Sequence, residues 1–242
     1  MAENQEATPK TEQEEMTVKN GDLIYIDYIG KLKSDGKIFD TTLEDVAKEA
    51  NIYNADEYYT PLLVAVGNGW VIKGLDEALV GMKKGETKTI EVPPEKAYGE
   101  RNPKLRKTVS HKEIRKQGIT PQVGVRVRIG DKYGTIVHVG AGRVIVDMNP
   151  PLAGKTLIYE VTVKEILTDP KEKILAFIKR NIPAIEKDTV KIEIKDKIVE
   201  IELPTAALLA EHIQYAKVGI ASSIFKYIEN IEEVLFIDRI KK

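Results

Sequence analysis

The segment VGNGWVIKGLDEALVGMKKGE, Val66–Glu86, allows only a short helix, Leu75–Val80, before Gly81 stops it. A core helix normally carries its large apolar residues on one face. Here Trp70, the only tryptophan of the chain, precedes the helix together with Val71 and Ile72, on a loop that glycines let bend sharply. Apolar residues at such a junction can plug a core or floor a pocket. What surrounds the segment decides how it can fold, and the surroundings read as strands.

DLIYIDYIGKL alternates Ile24, Ile26 and Tyr28 on one side with Tyr25, Asp27 and Ile29 on the other, which suits a strand in an antiparallel sheet. KSDGKIFDTT places Asp35-Gly36 at a hairpin turn that needs φ > 0. LEDVAKEANIY predicts a short helix and PLLVAVG another strand. ETKTIEVPP predicts a strand stopped by Pro93 and Pro94, which cannot donate to a ladder. Much later, KTLIYEVTVKEI alternates over Leu157, Tyr159, Val161 and Val163. Together they predict an α+β fold, a sheet of about four or five strands wrapping one short helix.

In this order IDYIGKL, DGKIFDTT, GNGWVIKGLDEAL, GMKKGETKTIEVPPEKAYG and NPPLAGKTLIYEVTV resemble the FKBP-type peptidyl-prolyl cis-trans isomerases. The resemblance covers 17–100 and 149–168 and implies an FKBP-like antiparallel sheet around a short helix. Simple members join these two parts by a short flap loop. Here 101–148 intervene, which resembles the insert-in-flap domain of SlyD-like and archaeal long-type members.

The insert has its own surface chemistry. It holds eleven Lys or Arg against three acids, whereas 17–100 holds fifteen acids against ten bases, and such a sign change marks a separate module. KTVSHKEIRKQG predicts a short helix beginning near Ser110, an acceptable N-cap. VGVRVRIGDKYGTIVHVGAGRVIVDMN predicts three strands with Gly-Asp and Gly-Ala-Gly turns, giving a small β-barrel or half-barrel.

Residues 169–242 lie outside the resemblance and predict a C-terminal α+β domain. DPKEKILAFIKRNI reads as a helix with Asp169 as N-cap and Pro170 at its first position. DTVKIEIKDKIVEIELP reads as a hairpin, with Val190, Ile192 and Ile194 facing Val199, Ile201 and Leu203. Helices at 205–217 and 220–230 and a strand at EEVLFIDRI complete it. Its apolar patterns can cover each other or meet a second copy of the chain, forming a homodimer. At the other end, 1–16 holds five acids and one lysine and predicts a disordered tail. That polar start excludes a secretory signal and points to a cytoplasmic protein. No apolar run approaches the roughly 20 residues needed to span a bilayer, so no membrane partner is expected.

Prolyl isomerisation needs no nucleophile. Rotation about X–Pro must break amide resonance, a barrier of ~18–20 kcal/mol. The twisted transition state has lost the charge separation of that resonance, so an apolar pocket favours it over the planar ground state. The resemblance places Tyr28, Phe39, Asp40, Leu62, Val71, Ile72, Leu75, Tyr98 and Tyr159 at such a pocket. It implies that Tyr28, Phe39 and Tyr159 are aromatic walls and Leu75 the floor, where many members have tryptophan. Tyr98 would donate its hydroxyl to a substrate carbonyl, and the Ile72 N–H would hold another. Asp40 would orient side chains and bias the field, while Trp70 lies beside the pocket loop, within reach of the residue preceding proline.

The chain has no cysteine, which excludes a disulfide framework, a thiolate metal site and a cysteine nucleophile. His111, His138 and His212 are widely spaced, and neither metal nor cofactor is expected. The partners expected are unfolded or nascent polypeptides containing X-Pro, held by the insert's Val/Ile faces as by a chaperone. A second reading keeps the basic insert as an RNA-binding barrel, because its charge attracts phosphate. Against nucleic acid stands the want of stacking platforms, Tyr133 being the insert's single aromatic residue.

Overall fold

A computed structural model describes residues 16–240, so the tail expected over 1–16 lies outside the described residues except for Met16. Strands β1 (Leu23–Leu32) and β2 (Ile38–Thr41), helix α1 (Glu44–Glu49), strand β3 (Leu62–Ala65), helix α2 (Lys73–Leu79) and strand β4 (Thr87–Val92) come first. The insert adds β5 (Arg106–Ser110), α3 (His111–Arg115), β6 (Arg126–Ile129), β7 (Lys132–Val139) and β8 (Arg143–Asp147). Then follow β9 (Leu157–Leu167), α4 (Pro170–Asn181), β10 (Lys191–Lys195) and β11 (Ile198–Glu202). Helices α5 (Thr205–Leu208) and α6 (Ile213–Tyr227) and strand β12 (Glu233–Ile237) end the described chain. None of the described helices is long and apolar enough to cross a membrane.

The first sheet has the order β2-β1-β9-β4, with β3 also on β1, and all its pairs are antiparallel. Strand β1 alternates as its sequence predicts. Ile24 and Ile26 enter a core with Val64, Leu75, Leu79, Val161 and Val163, roofed by α2. Leu23 faces the other way, into a second core with Leu63, Ala65 and Leu167. That second core is completed by Ile174, Phe177 and Ile178 of α4 and Ile220 and Ile224 of α6. The C-terminal region thus packs directly on the back of the sheet.

Within this region Asp169 caps α4, its carboxylate accepting the Glu172 N–H at 3.0 Å. Strands β10 and β11 form the expected hairpin, with Ile192 opposite Ile201 and Ile194 opposite Val199, and β12 adds to β11 in parallel. The two expected helices are drawn differently. The first is broken after Thr205–Leu208, and α6 starts at Ile213, inside the range expected for the first helix, and runs unbroken to Tyr227 through Gly219. Glycine here is not a break but a close approach: a Cβ at 219 would stand 2.7 Å from Asn181 Oδ1 at the end of α4.

The insert is an open antiparallel sheet of order β5-β8-β7-β6, with a small core of Val109, Ile114, Val127, Ile136, Val144 and Val146. Helix α3 starts one residue after Ser110, whose hydroxyl accepts the Glu113 N–H at 3.2 Å. The helix therefore begins where the sequence placed it, near Ser110, while the residues before it, Arg106–Ser110, form a strand paired with β8 that the sequence reading did not include. Val109 is the only buried residue of β5, so no alternation advertised the strand.

Where the insert leaves the isomerase-like sheet, its two stems are tied together. Asp147 is buried and takes Arg101 Nη2 at 2.7 Å and Arg106 Nε at 3.2 Å on one oxygen. Its other oxygen accepts the Asn149 N–H at 2.9 Å and side-chain amide at 2.7 Å. Asn102 and Asn149 exchange two further bonds, at 2.9 and 3.0 Å. Burial raises the Asp147 pKa, but the Asn149 bonds, the Arg106 bond and the Arg101 charge outweigh it and bring the carboxyl down to about 2.

The sign of the pH dependence follows. An unfolded aspartate titrates near 3.8 and the native one near 2, so the tie contributes fully above about pH 4 and is lost as pH falls toward 2. It contributes roughly 2 kcal/mol. Amide exchange in β5 and β8, corrected for its intrinsic pH dependence, should stay slow to about pH 4 and accelerate below it. Asp147→Asn should accelerate it already at neutral pH. Flat protection through that window would show that the carboxylate does not hold the stems.

Candidate active site

The site is built where β1, β2, β9 and the loop ahead of α2 meet. Tyr159, buried near the start of β9, sits opposite Gly30 of β1 and Ile90 of β4. Phe39 of β2 meets it edge-on, centroids 5.9 Å apart and planes at 86°. Tyr28 of β1 meets it at 5.9 Å, tilted 55°. Such aromatic pairs add ~0.5–1.5 kcal/mol beyond the area they bury. Phe39 can lie so close to β1 only because residue 30 is glycine, since a Cβ there would come 2.8 Å from the ring.

Two threonines hold the corner. The Thr41 hydroxyl donates to the Tyr28 carbonyl at 2.8 Å, and Thr42 Oγ1 accepts the Tyr28 N–H at 3.0 Å while donating to Asp27 at 2.9 Å. The backbone of Tyr28 is therefore fixed from both sides. Its hydroxyl donates to Asp40 Oδ2 at 2.7 Å. Burial first, then the hydrogen bond to Asp40 and its charge, push the Tyr28 phenol far above its usual pKa. Burial and the neighbouring Tyr98 and Asp40 do the same to Tyr159. Both phenols keep their protons at neutral pH and remain donors.

The floor comes from α2. Leu75 is buried, and Val71 and Ile72, half-buried, pack on the same core as Tyr28, Phe39 and Tyr159. Ile72 is the N-cap of α2, and its carbonyl accepts from Leu75 and Asp76 at 3.0 Å each. Among the described residues its own N–H donates to no acceptor. The loop before it is held from within the helix: buried Asp76 accepts the Gly67 N–H at 2.8 Å and the Gly69 N–H at 3.1 Å. Tyr98 is exposed at the rim.

Eight of the ten candidates thus converge: Tyr28, Phe39, Asp40, Val71, Ile72, Leu75, Tyr98 and Tyr159. Leu62 and Trp70 instead line an adjoining cleft between the first sheet and α4, which Tyr28 and Asp40 border too. Trp70 packs against both cores; Tyr227 of α6 meets it edge-on at 5.5 Å, and the Arg180 guanidinium lies 3.4 Å over its ring. The sequence reading set Trp70 beside the substrate and did not foresee these partners. It also passed over Gly30, Thr41, Thr42 and Asp76. The signal for Asp76 was present, since an acid in the first turn of a helix can accept N–H groups of the preceding loop. Among the described residues no cluster of His, Asp or Glu is arranged to hold a metal ion.

Comparison with known proteins bears on this geometry. The profile of the FKBP-type peptidyl-prolyl cis-trans isomerases matches residues 14–164, and one described as FKBP26_C-terminal matches 170–241. The chain is 38% identical over 149 residues to a short-type peptidyl-prolyl cis-trans isomerase of Methanocaldococcus jannaschii, covering 62% of this chain and 94% of that protein. It is 33% identical over 143 residues to the FKBP-type isomerase SlyD of Treponema pallidum, covering 57% and 80%. An FKBP-type 16 kDa peptidyl-prolyl cis-trans isomerase of Escherichia coli is 30% identical over 111 residues, covering 44% and 74%.

The closeness of Phe39 to residue 30 gives a direct test of the packing. Gly30→Ala should lower the denaturant midpoint by an overpacking cost of about 1–3 kcal/mol. Made in a Phe39→Leu background, the same substitution should cost much less. Equal costs in both backgrounds would show that the ring does not set the requirement for glycine.

Proposed function

The chain belongs to the FKBP-type peptidyl-prolyl cis-trans isomerase family, and we propose that it twists X–Pro bonds at the Tyr28–Phe39–Tyr159 site while its insert holds the unfolded chain. Its enzymatic activity is peptidyl-prolyl cis-trans isomerisation. The observation that carries the placement is the combination of an apolar enclosure with donors that stay uncharged. Three aromatic rings, Val71 and Leu75 share one apolar cluster, the place proposed for the prolyl ring, and Asp40, the acid bonded to Tyr28, is exposed beside it.

In this reading the enclosure destabilises the planar, charge-separated amide relative to the twisted one. The Ile72 N–H holds the carbonyl on one side of the proline and the Tyr98 hydroxyl the other, which fixes the ends about which the bond turns. Asp40 carries its charge at the rim, bonded to Tyr28, where it biases the field at the amide without being desolvated. Removing Tyr98's hydroxyl or Asp40's charge lowers kcat, whereas peptide binding, which rests on the apolar walls, changes less.

The insert enters as the capturing element. Its stems begin directly after Tyr98 and are tied at Asp147, so it hangs beside the pocket. Val123 and Tyr133 are exposed on it, with Ile119, Val125, Ile129 and Val139 half-buried around its core. A chain held there meets the pocket at high effective concentration. The phosphate-binding alternative draws less support, since Arg126 already covers Tyr133 at 5.1 Å and Arg128 bonds the Gly130 carbonyl. Replacing 101–148 by a short loop should leave isomerisation of a short peptide near its original rate and sharply slow proline-limited refolding of a whole protein. Equal impairment of both would reduce the insert to a brace.

A second copy of the chain is the proposed partner of α6. Tyr215, Val218, Ser222 and Phe225 recur at the three-four spacing of a helix–helix seam, and the three apolar ones are largely exposed. A dimer would bring two pockets to one client. Sedimentation should give twice the chain mass, and Val218→Glu with Phe225→Glu should give the monomer. A monomeric parent protein at micromolar concentration would end this proposal.

A further inference from the structure

Beside the prolyl site lies a cleft of about 780 Å³, within the size range of ligand sites. Tyr28, Asp40 and Leu62 form its near wall and Trp70, Lys179 and Arg180 its far wall. Tyr28 and Asp40 are the hydrogen-bonded pair at the rim of the proposed pocket, so cleft and pocket are continuous.

The charged lining is balanced in number, Asp40, Glu57 and Glu165 against Lys164, Lys179 and Arg180, but differs in how each group is partnered, Asp40 accepting from the Tyr28 hydroxyl at 2.7 Å. Lys164 pairs with Asp27 at 3.4 Å, Glu165 with Lys84 at 3.6 Å, and Glu57 accepts from Asn54 at 3.2 Å. Lys179 and Arg180, at the end of α4, have no carboxylate partner among the described residues. Cations are favoured in the last turn of a helix by its dipole, which accounts for their presence there. It does not account for a guanidinium placed 3.4 Å over an indole in a cleft wall. The Arg180 guanidinium carbon lies 3.4 Å over the centre of Trp70, contact distance for a planar cation stacked on an aromatic face, and a guanidinium so stacked keeps its N–H donors free for a carboxylate.

We infer that this cleft takes the substrate polypeptide beyond its proline, and that Arg180, stacked on Trp70, pairs with an acidic side chain of that polypeptide. The inference rests on the prolyl pocket proposed above. Its occupant is an extended segment of the same chain whose proline is being turned, because the cleft opens from that pocket and its two cations at the end of α4 have no hydrogen-bonded acid, whereas Asp40 and Glu57 each accept from a neutral donor. Specificity would then be set at a distance from the proline, by a domain outside the isomerase core.

The test uses the full chain and prolyl peptides that carry one glutamate, or glutamine at the same place, scanned along both sides of the proline. At one position glutamate should raise kcat/KM over glutamine by about three- to ten-fold at low salt, the worth of a single partly exposed pair. The preference should fall as salt is added. It should vanish in Arg180→Gln and survive in part in Arg180→Lys, which keeps the charge without the planar fork. Trp70 is the chain's only tryptophan, so its fluorescence reports binding independently of turnover. The glutamate peptide should change that emission at lower concentration than its glutamine twin, and Arg180→Gln should equalise them. A glutamate-to-glutamine ratio near one at every position, or a preference that Arg180→Gln leaves intact, overturns the inference. Should no peptide be isomerised, the pocket reading falls while the fluorescence titration still decides whether Arg180 selects an acid.

Discussion

Strand β1 is buried on both faces, and the rest of the structure depends on that. Ile24 and Ile26 feed the core beneath α2, while Leu23 feeds the core shared with α4 and α6. A slip of one residue would exchange the two sets and strip both cores at once, so the register is strongly specified. Tyr28 lies further along the same strand, on the face of Ile24 and Ile26, and is aimed at the proposed pocket by the same alternation. The position of the site is thus a consequence of how the two layers divide β1 between them.

The C-terminal region is accordingly more than an appendage. Phe177, Ile174 and Ile220 are fully buried against Leu63, Ala65 and Leu167 of the first sheet. Removing it would expose the back of β1, β3 and β9. An isolated isomerase domain cut at residue 168 would need polar residues on that face to stay soluble. In contrast, the insert keeps a separate small core and joins the first sheet through stems tied by one buried carboxylate. One module is fused by apolar burial and the other held by directional polar bonds. The first kind of junction tolerates little relative motion, and the second can be released without dismantling either core.

Much of this was legible in the chain. Alternation in DLIYIDYIGKL and KTLIYEVTVKEI, and the glycine-bracketed helix between them, carry the α+β sheet, because a period of two and a short helix leave few other packings. What escaped were features created only by contact across the fold. Gly30 looks like any strand glycine until Phe39 is placed on it, and Gly219 looks like a helix break until Asn181 is placed against it. Strand β5 exposes Arg106, Lys107 and Thr108 and is held by pairing with β8 rather than by burial, so no hydrophobic period marked it. Trp70 was read as a neighbour of the pocket because its sequence neighbours Val71 and Ile72 face that way. Its partners, Arg180 and Tyr227, lie more than a hundred residues along the chain, and local patterning carries no information about them.

That pairing gives the segment from Gly69 to Leu75 two duties. Trp70 is gripped by the C-terminal region, Val71 and Ile72 face the proposed pocket, and Asp76 holds the preceding glycines by their N–H groups. Three consecutive side chains therefore join domain docking to the pocket wall with no flexible residue between them. Trp70 cannot move with Arg180 and Tyr227 without pulling on Val71 and on the N–H of Ile72. The glycines that let the loop bend sharply are pinned on one side by a buried carboxylate. The loop is bent by glycine but stiffened by its partners, as a pocket requires that must resist collapse around a twisted amide and still admit a planar one.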